Sequence, residues 1–494
     1  MPLSKPNLVV PLAMSYDTRN VDARTQMQAG KDQRKVNCFY DDIVNAVTGK
    51  ATHELVKRPG PANFTTTGYG TGTTPLAYDI TRVSASTAWV VGKNAADNNY
   101  VADGTTKTTI LNSSTYKPYC ISSTDISGVT YGVAQLTNGV TTDPHRVFYA
   151  SAIGSWTEIT DTTFTSMDHV GKMEFMDGYA FILDGATGRI HNSDLNSLSA
   201  WGDTSYITKS ILSDRMSGLC HFGSHIIAFG TNTAEVFVNA GNPSGSPLQR
   251  VKDLAADVGL IDSRQNRYYA IVNRTLYFVG REAGNSESVG LFSYNGQTFS
   301  KISSPVLNRI LGAGTQPLFA VCKVGFSGKT AIALKLTDAD QATQKWMMYF
   351  PDIGEWFEWT SDVFSPVNID GLHIGSASFG AAGYRFYPLT NRWTDDGTAF
   401  TMTVQFKVPK TGNNREFMNW CGVEADTTSS AINLAVSFAD DGLDTTFSAA
   451  RNIDLNTEEK CLTRCGSYKN ARTVRMTNAD NVEVRLRRFI GHVT

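Results

Sequence analysis

Hydrophobic positions along this chain come in short bursts. Apolar runs of five or six residues stop at Gly, Asn or Asp and restart at once. Residues 87–91 (TAWVV) run into Gly92-Lys93-Asn94, and residues 178–183 (GYAFIL) run into Asp184-Gly185 and then Arg189-Ile190-His191. Residues 224–229 (SHIIAF) run into Gly230-Thr231-Asn232 and then residues 234–238 (AEVFV). The unit returns at 274–279 (RTLYFV) with Gly280 and 291–296 (LFSYNG). It returns again at 329–334 (KTAIAL) with Asp338, Asp340 and 346–350 (WMMYF). Runs this short, rich in β-branched and aromatic residues and bounded by turn formers, predict hairpins rather than helices. They recur roughly every 45–55 residues, the length of a four-stranded propeller blade. One blade cannot bury both of its faces, so several must pack around an axis. The expectation is an all-β chain in which residues 61–394 form a β-propeller of about six blades. A series of hairpins in ordinary sandwiches is the alternative.

The pattern changes near residue 395. Phe400, Met402, Val404, Phe406 and Val408 alternate with Thr401, Thr403, Gln405 and Lys407, which predicts a strand with one wet face. Leu434, Val436 and Phe438 repeat the alternation, ending at Asp440-Asp441-Gly442, as do Val482, Val484 and Leu486 against Glu483, Arg485 and Arg487. Residues 395–494 are expected to form a β-sandwich-like segment that packs on or completes the propeller. Residues 1–60 show little periodicity outside Val9-Val10 and 36–44. With Pro2, Pro6 and Pro11 they suggest an irregular N-terminal arm, closed by the turn Lys57-Arg58-Pro59-Gly60-Pro61, where Pro fixes φ and Gly allows positive φ.

Composition supports strands and turns: 42 glycines, and only 18% charged residues among 494. Lys plus Arg is 44 against 46 Asp plus Glu, a formal charge of −2. That balance argues against a dedicated nucleic-acid binder, but not against a surface that DNA slides past. The seven cysteines are odd in number and scattered, which suggests free thiols rather than a disulfide scaffold. Residues 1–14 lack the apolar core of a signal peptide, and no run approaches the ~20 apolar residues of a membrane span. A soluble product made in a cytoplasm, with no membrane insertion, is expected.

Candidate chemistry is sparse. Lys323-Val324-Gly325-Phe326-Ser327-Gly328-Lys329-Thr330 approximates a phosphate loop, but Lys323 stands where Gly is needed and a strand pattern follows where a helix should. His221 and His225 have helical metal-ligand spacing with Gly223 between them, which favours a turn. Cys461 and Cys465 lack zinc-knuckle spacing and a second ligand pair. The paired carboxylates Asp41-Asp42, Asp395-Asp396 and Asp440-Asp441 could serve glycoside cleavage only if two met across one bond. Residues 437–447 resemble the Asp-box turn of sialidase propellers, itself a structural turn. Trp356 and Trp359, flanking Phe357, could stack on a sugar or base, or pack in the core. No catalytic, metal or cofactor residue is expected. The C-terminal arginines Arg472, Arg475, Arg485, Arg487 and Arg488 are a solvated face, an assembly contact or a DNA contact.

Together these segments resemble the packaged-DNA-stabilising tail hub, or nozzle, proteins of short-tailed phages related to the Salmonella podoviruses. The likeness is carried by the 57–60 turn and by residues 223–250 (GSHIIAFGTNTAEVFVNAGNPSGSPLQR). It continues through Asp257-Val258-Gly259-Leu260 with 276–280, residues 289–311, residues 436–442 and the Arg-rich 468–490. Residues 61–165 match nothing in that family. The resemblance implies a non-enzymatic virion tail protein made in the host cytoplasm. Its propeller subunits form a hexameric ring below the portal and its adaptor ring. Such a ring extends the DNA channel without sequence-specific contacts, retains packaged DNA and carries tail fibres or spikes. A glycan-binding or sialidase-like receptor-binding propeller is the alternative, and a generic interaction scaffold a third.

Overall fold

The computed structural model describes residues 5–12, 34–44, 51–60, 76–303, 307–308, 311, 320–336, 345–360, 372–375, 385–388 and 393–494. Within these, residues 85–86, 95, 104, 140–144, 210–213, 262–267, 285–288, 327, 396, 409–413, 429–430, 441–445 and 470–471 are left out. The chain divides into two compact units. A propeller unit comprises Asn63–Gln344 and Asp362–Pro388; a sandwich unit comprises Met1–Ala62, Lys345–Ser361 and Leu389–Thr494.

In the propeller unit, antiparallel sheets follow one another along the chain. Blades 1 to 4 each have four strands, in chain order across the sheet. They run from Leu76–Arg82 to Lys107–Asn112, Lys117–Ile126 to Thr157–Glu158, His169–Met176 to Trp201–Thr208, and Met216–Phe222 to Leu248–Arg250. Blade 5 has five, because both Val258–Leu260 and Tyr269–Val272 pair with Thr275–Glu282. The hairpin Val321–Phe326 and Lys329–Leu336 lies beside Tyr269–Val272. About six blades were expected; five complete blades stand among the described residues.

Burial explains why these strands read as continuous apolar runs. In blade 4, Ile226 and Ala228 join a core with Phe181, Leu183 and Ile190 of blade 3. Their neighbours Ile227 and Phe229 point the other way, into a core with Leu276, Phe278 and Phe292 of blade 5. Blade 3 repeats this: Ala180 and Ile182 meet Val133 and Val147 of blade 2, while Phe181 and Leu183 face blade 4. Side chains alternate across a strand, so a sheet covered on both faces shows no polar alternation. This stacking through both faces is the propeller arrangement that the repeat spacing predicts. Phe229 and Phe278 are wholly buried with ring centroids 4.7 Å apart. Replacing either by Ala is expected to cost about 3–5 kcal/mol in denaturant unfolding. A loss below about 1 kcal/mol would show the blade 4–blade 5 core to be loosely packed.

The sandwich unit draws on three separate stretches of chain. One sheet runs Lys345–Phe350, Glu355–Thr360, Arg34–Val36, Met402–Val408, Arg472–Asn478, Asn433–Ala439, Arg451–Asp454. The other runs Cys38–Val44, Ala51–Lys57, Arg485–Val493, Glu416–Ala425, Cys461–Thr463, and Leu8–Pro11 pairs with Arg485–Val493. Phe406 on Phe489 (5.0 Å) and Tyr40 on Phe350 (5.2 Å) pack the two sheets face to face. Met402, Val404, Phe406 and Val408 are buried, and the residues between them are half-exposed, as their alternation predicts. Two features differ from expectation. The described residues of the first sixty are mostly strand, where an irregular arm was expected, and the hairpin 345–360 groups with them rather than with the propeller. Both depend on partners hundreds of residues away, such as Val36 paired in parallel with Glu358. A local pattern holds no trace of such a partner. Trp356 and Trp359 are buried here, Trp356 against Tyr349 and Trp359 donating its indole N–H to the Cys38 carbonyl (2.8 Å), so they serve packing.

Candidate functional site

Around the propeller axis the first strands of blades 3 and 4 meet Tyr269–Val272 of blade 5, so that side chains from non-adjacent blades touch. Glu174 of blade 3 accepts from the Tyr269 hydroxyl of blade 5 (2.8 Å) and pairs with Lys172 at 3.6 Å. The Lys172 ammonium lies 4.1 Å from the Tyr269 ring centroid. Tyr268 donates its hydroxyl to the Leu219 carbonyl of blade 4 (2.7 Å) and accepts from the Lys172 backbone N–H (3.3 Å). Gly171, at φ 75°, makes this approach possible: a Cβ there would sit 3.0 Å from the Tyr268 hydroxyl and 3.1 Å from the Gly218 Cα. Burial raises the Glu174 carboxyl above its usual range, against the pull of Lys172. Burial presses Lys172 down, but Glu174 and the nearby thiols outweigh it and hold the amine above its usual value. Burial pushes the Cys120 and Cys220 thiols well up, which leaves them poor nucleophiles. The axis is thus a clamp of satisfied polar contacts.

A second polar knot joins blades 2 and 3. Gln135, wholly buried, accepts from the Met173 backbone N–H (2.7 Å) and the Cys120 thiol (3.0 Å). Its amide nitrogen lies 3.3 Å from His145 Nδ1, and the His145 backbone N–H donates to His169 Nδ1 (2.9 Å). His169 Nε2 donates to the Phe164 carbonyl (3.0 Å), in a one-turn helix capped by Asp161.

On blade 3, a cavity of about 360 Å³ is lined by Thr162, Thr163, Asp184, Arg189, His191 and Asp203, among others. Asp184 is committed to its own turn, accepting from Ala186 N (3.1 Å) and Thr187 Oγ1 (2.5 Å). Arg189 lies over the Tyr206 ring at 4.0 Å. The cavity can take a small polar ligand, and the Thr163 hydroxyl in its lining donates to the Asp203 carboxylate.

Comparison with known proteins places this architecture. Residues 121–338 match the model of the family described as Phage_stabilise: Bacteriophage P22 Gp10, beta-propeller. That span lies in the propeller unit, from blade 2 to the hairpin ending at Leu336. It supports a phage structural protein, a virion component of non-enzymatic character. The match with the phage propeller family begins within the stretch 61–165, where no likeness was expected, and excludes residues 436–442 and 468–490, where one was. No curated protein matches the chain. Among solved structures, BamB from Moraxella catarrhalis is similar at 11% identity over 74% of this chain and 99% of its own, with a TM-score of 0.39. The designed protein Ika8 gives 10% identity, 67% and 99% coverage and a TM-score of 0.34. Exo-beta-1,3-galactanase from Phanerochaete chrysosporium gives 11%, 88% and 100%, and 0.28. At such scores none of the three bears on function.

Outside the region matched by the phage propeller family, the C-terminal arginines are engaged within the sandwich unit. Arg485 pairs with Asp41 (3.0 Å), Glu483 (2.6 Å) and Glu54 (3.6 Å). Arg487 pairs with Glu54 and Asp426, and Arg488 with Glu424 (2.5 Å). Arg472 is buried and grips Asp440 with two nitrogens (2.7 and 2.8 Å), and Arg475 lies over Phe447 at 3.3 Å. Arg487→Glu would face Glu54, which is fully buried, and is expected to cost about 3 kcal/mol. Arg488→Glu, at a half-exposed pair, is expected to change stability by less than about 1 kcal/mol. Urea unfolding of the two variants side by side checks this, and equal losses would contradict it.

The remaining candidates resolve as local structure. Val321–Phe326 and Lys329–Leu336 pair as a hairpin, with Gly328 at φ 71°, and a strand stands where a phosphate loop would lead into a helix. His221 and His225 sit at the ends of paired strands; His221 bonds the Gly223 carbonyl (2.8 Å) and His225 contacts the Tyr294 hydroxyl (3.3 Å). The described carboxylates of the three Asp pairs are taken: Asp41 by Arg485, Asp42 by His53 (2.6 Å), Asp395 by Arg58 and Asp440 by Arg472. Asp396, Asp441 and Gly442 lie outside the described residues. Composition and motif signals missed the axial clamp, because Lys172 and Glu174 meet Tyr269 only after the blades close.

Proposed function

We propose that this protein is a structural subunit of a phage tail, assembling as a hexameric ring below the portal and its adaptor ring. In that role it extends the DNA channel, helps retain packaged DNA and carries fibres or spikes. The observation that carries this reading is the match of the propeller unit to a phage propeller family. Two physical features agree with it. The near-neutral charge lets DNA pass, since a strongly basic wall would hold phosphates and slow ejection. Polar bonds among blades 3, 4 and 5 make the subunit stiff, as a closed ring with heterologous contacts requires. The exposed parts of Arg487 and Arg488 remain candidates for lateral contacts with neighbouring subunits.

Negative-stain imaging and light scattering of the purified chain, alone and with its adaptor ring, test the proposal. Sixfold rings are expected in at least the second condition. Monomers in both conditions would overturn it, and glycan-array binding by those monomers would favour a receptor-binding propeller instead.

A further inference from the structure

Four of the seven cysteines lie in the sandwich unit, and three of them gather on Glu416–Ala425 and the segment 461–465. The sulfurs of Cys421 and Cys465 are 3.4 Å apart, with Cys421 fully buried and Cys465 only 5% exposed. The backbone holds them there. Leu462 stands opposite Cys421 in the ladder, and the Cys465 N–H donates to the Met418 carbonyl (3.0 Å). Arg464, between them, has φ 55°, the left-handed turn that returns the second sulfur towards the first. Two guanidinium groups pin the same turn. Arg451 donates to the carbonyls of Arg464 (3.2 Å) and Thr463 (2.8 Å), and Arg472 donates to that of Cys465 (2.7 Å). The hydrogen bond with Cys421 and the two cations draw the Cys465 thiol down to about 7, against the effect of burial. Cys120 and Cys220, in the propeller unit, are buried thiols held well above their usual range.

We propose that Cys421 and Cys465 form an oxidative modification site that closes to a disulfide when the protein meets a peroxide. The Cys465 thiolate attacks one peroxide oxygen; the O–O bond breaks, leaving a sulfenic acid on Cys465 and releasing hydroxide. The Cys421 thiol then attacks that sulfur, the S–S bond forms, and the S–O bond breaks. The leaving oxygen departs as water with a proton from Cys421. Two thiols lose two electrons in all, and one peroxide becomes two waters. The sulfurs need to close by only about 1.4 Å, within reach of side-chain adjustment. The bond ties the strand to the pinned turn. This holds whether or not the chain assembles into a ring.

The full chain, purified under a phosphine reductant, is treated with a slight excess of hydrogen peroxide and digested without reduction. Expected are an intact mass lower by about 2 Da, a peptide linking residues 421 and 465, and a thermal midpoint that rises and returns on adding dithiothreitol. Cys421→Ser and Cys465→Ser should each abolish the link and the shift, whereas Cys461→Ser should retain both. All seven thiols still titratable after treatment, sulfinic acid on Cys465 without a link, or a dominant link to Cys461 would each overturn the proposal. If a serine variant fails to fold, the peptide map of the unaltered chain still decides.

Discussion

Asp395→Ala should destabilise the sandwich unit by about 3–5 kcal/mol, among the largest effects expected of any single change in this chain. Arg58 is 1% exposed, and its guanidinium takes both Asp395 oxygens at 2.8 and 2.7 Å. It also donates to Asn37 Oδ1 (2.9 Å) and the Thr360 carbonyl (2.8 Å), and lies 3.7 Å from the centroid of the Phe400 ring. Asn37 in turn donates to Thr360 Oγ1 (2.8 Å) and the Thr401 carbonyl (2.9 Å). One cation thus binds all three stretches of chain that make the unit. Without Asp395 it stays buried without its counter-charge, which costs more than the pair contributes. Arg58→Met combined with Asp395→Leu should recover most of the loss, because neither side chain then needs desolvation. Guanidinium unfolding of the single and double variants measures both effects. A single-variant loss under about 1 kcal/mol would mean that water reaches the guanidinium.

The second large effect is acid lability of the propeller unit, centred on the seam between blades 2 and 3. Burial is the main cause lowering His145 to about 3 and His169 to about 4, and the bonds of each ring fit the neutral form. His169 Nδ1 accepts from the His145 backbone, so its proton sits on Nε2, facing the Phe164 carbonyl. The Gln135 carbonyl already accepts from Met173 and Cys120, so its NH₂ donates to His145 Nδ1. In the unfolded chain both histidines titrate near 6.5. Their folded values lie below that, so the native state binds fewer protons and loses stability as pH falls from about 6.5 towards 4 and 3. The loss should reach on the order of 5 kcal/mol, and stability above pH 7 should be unaffected by these groups. Unfolding free energies measured at pH 7.5, 6, 5 and 4 test this. His169→Asn should flatten the dependence, and an unchanged slope in that variant would assign the acid sensitivity elsewhere.

Much of the fold was legible in one dimension. Residues 226–229 are apolar without interruption because they feed two cores, and Met402 to Val408 alternate because they feed one. Either signal is set by the geometry of a single strand, so it survives in a window of a few residues. The turn at Pro59-Gly60 was legible as punctuation only. Gly60 is needed for proximity: a Cβ there would fall 1.9 Å from the Thr394 carbonyl oxygen, so another stretch of chain passes where a side chain would be. The arginines of 485–488 were legible as a charged strand, yet their partners Asp41 and Glu54 lie more than four hundred residues earlier.

What the sequence by itself determined is the β character, the blade-length repeat and the strand faces, all consequences of alternation and turn chemistry between near neighbours. Only the tertiary structure decided that the described strands of the first sixty residues pair with strands of the last hundred, that Arg58 meets Asp395, that Tyr269 reaches Glu174, and that two of seven scattered thiols touch. Each of those pairs spans a long loop of chain. Such contacts are chosen by which buried charge or ring finds its complement once the sheets have formed, and spacing along the chain carries no record of that choice.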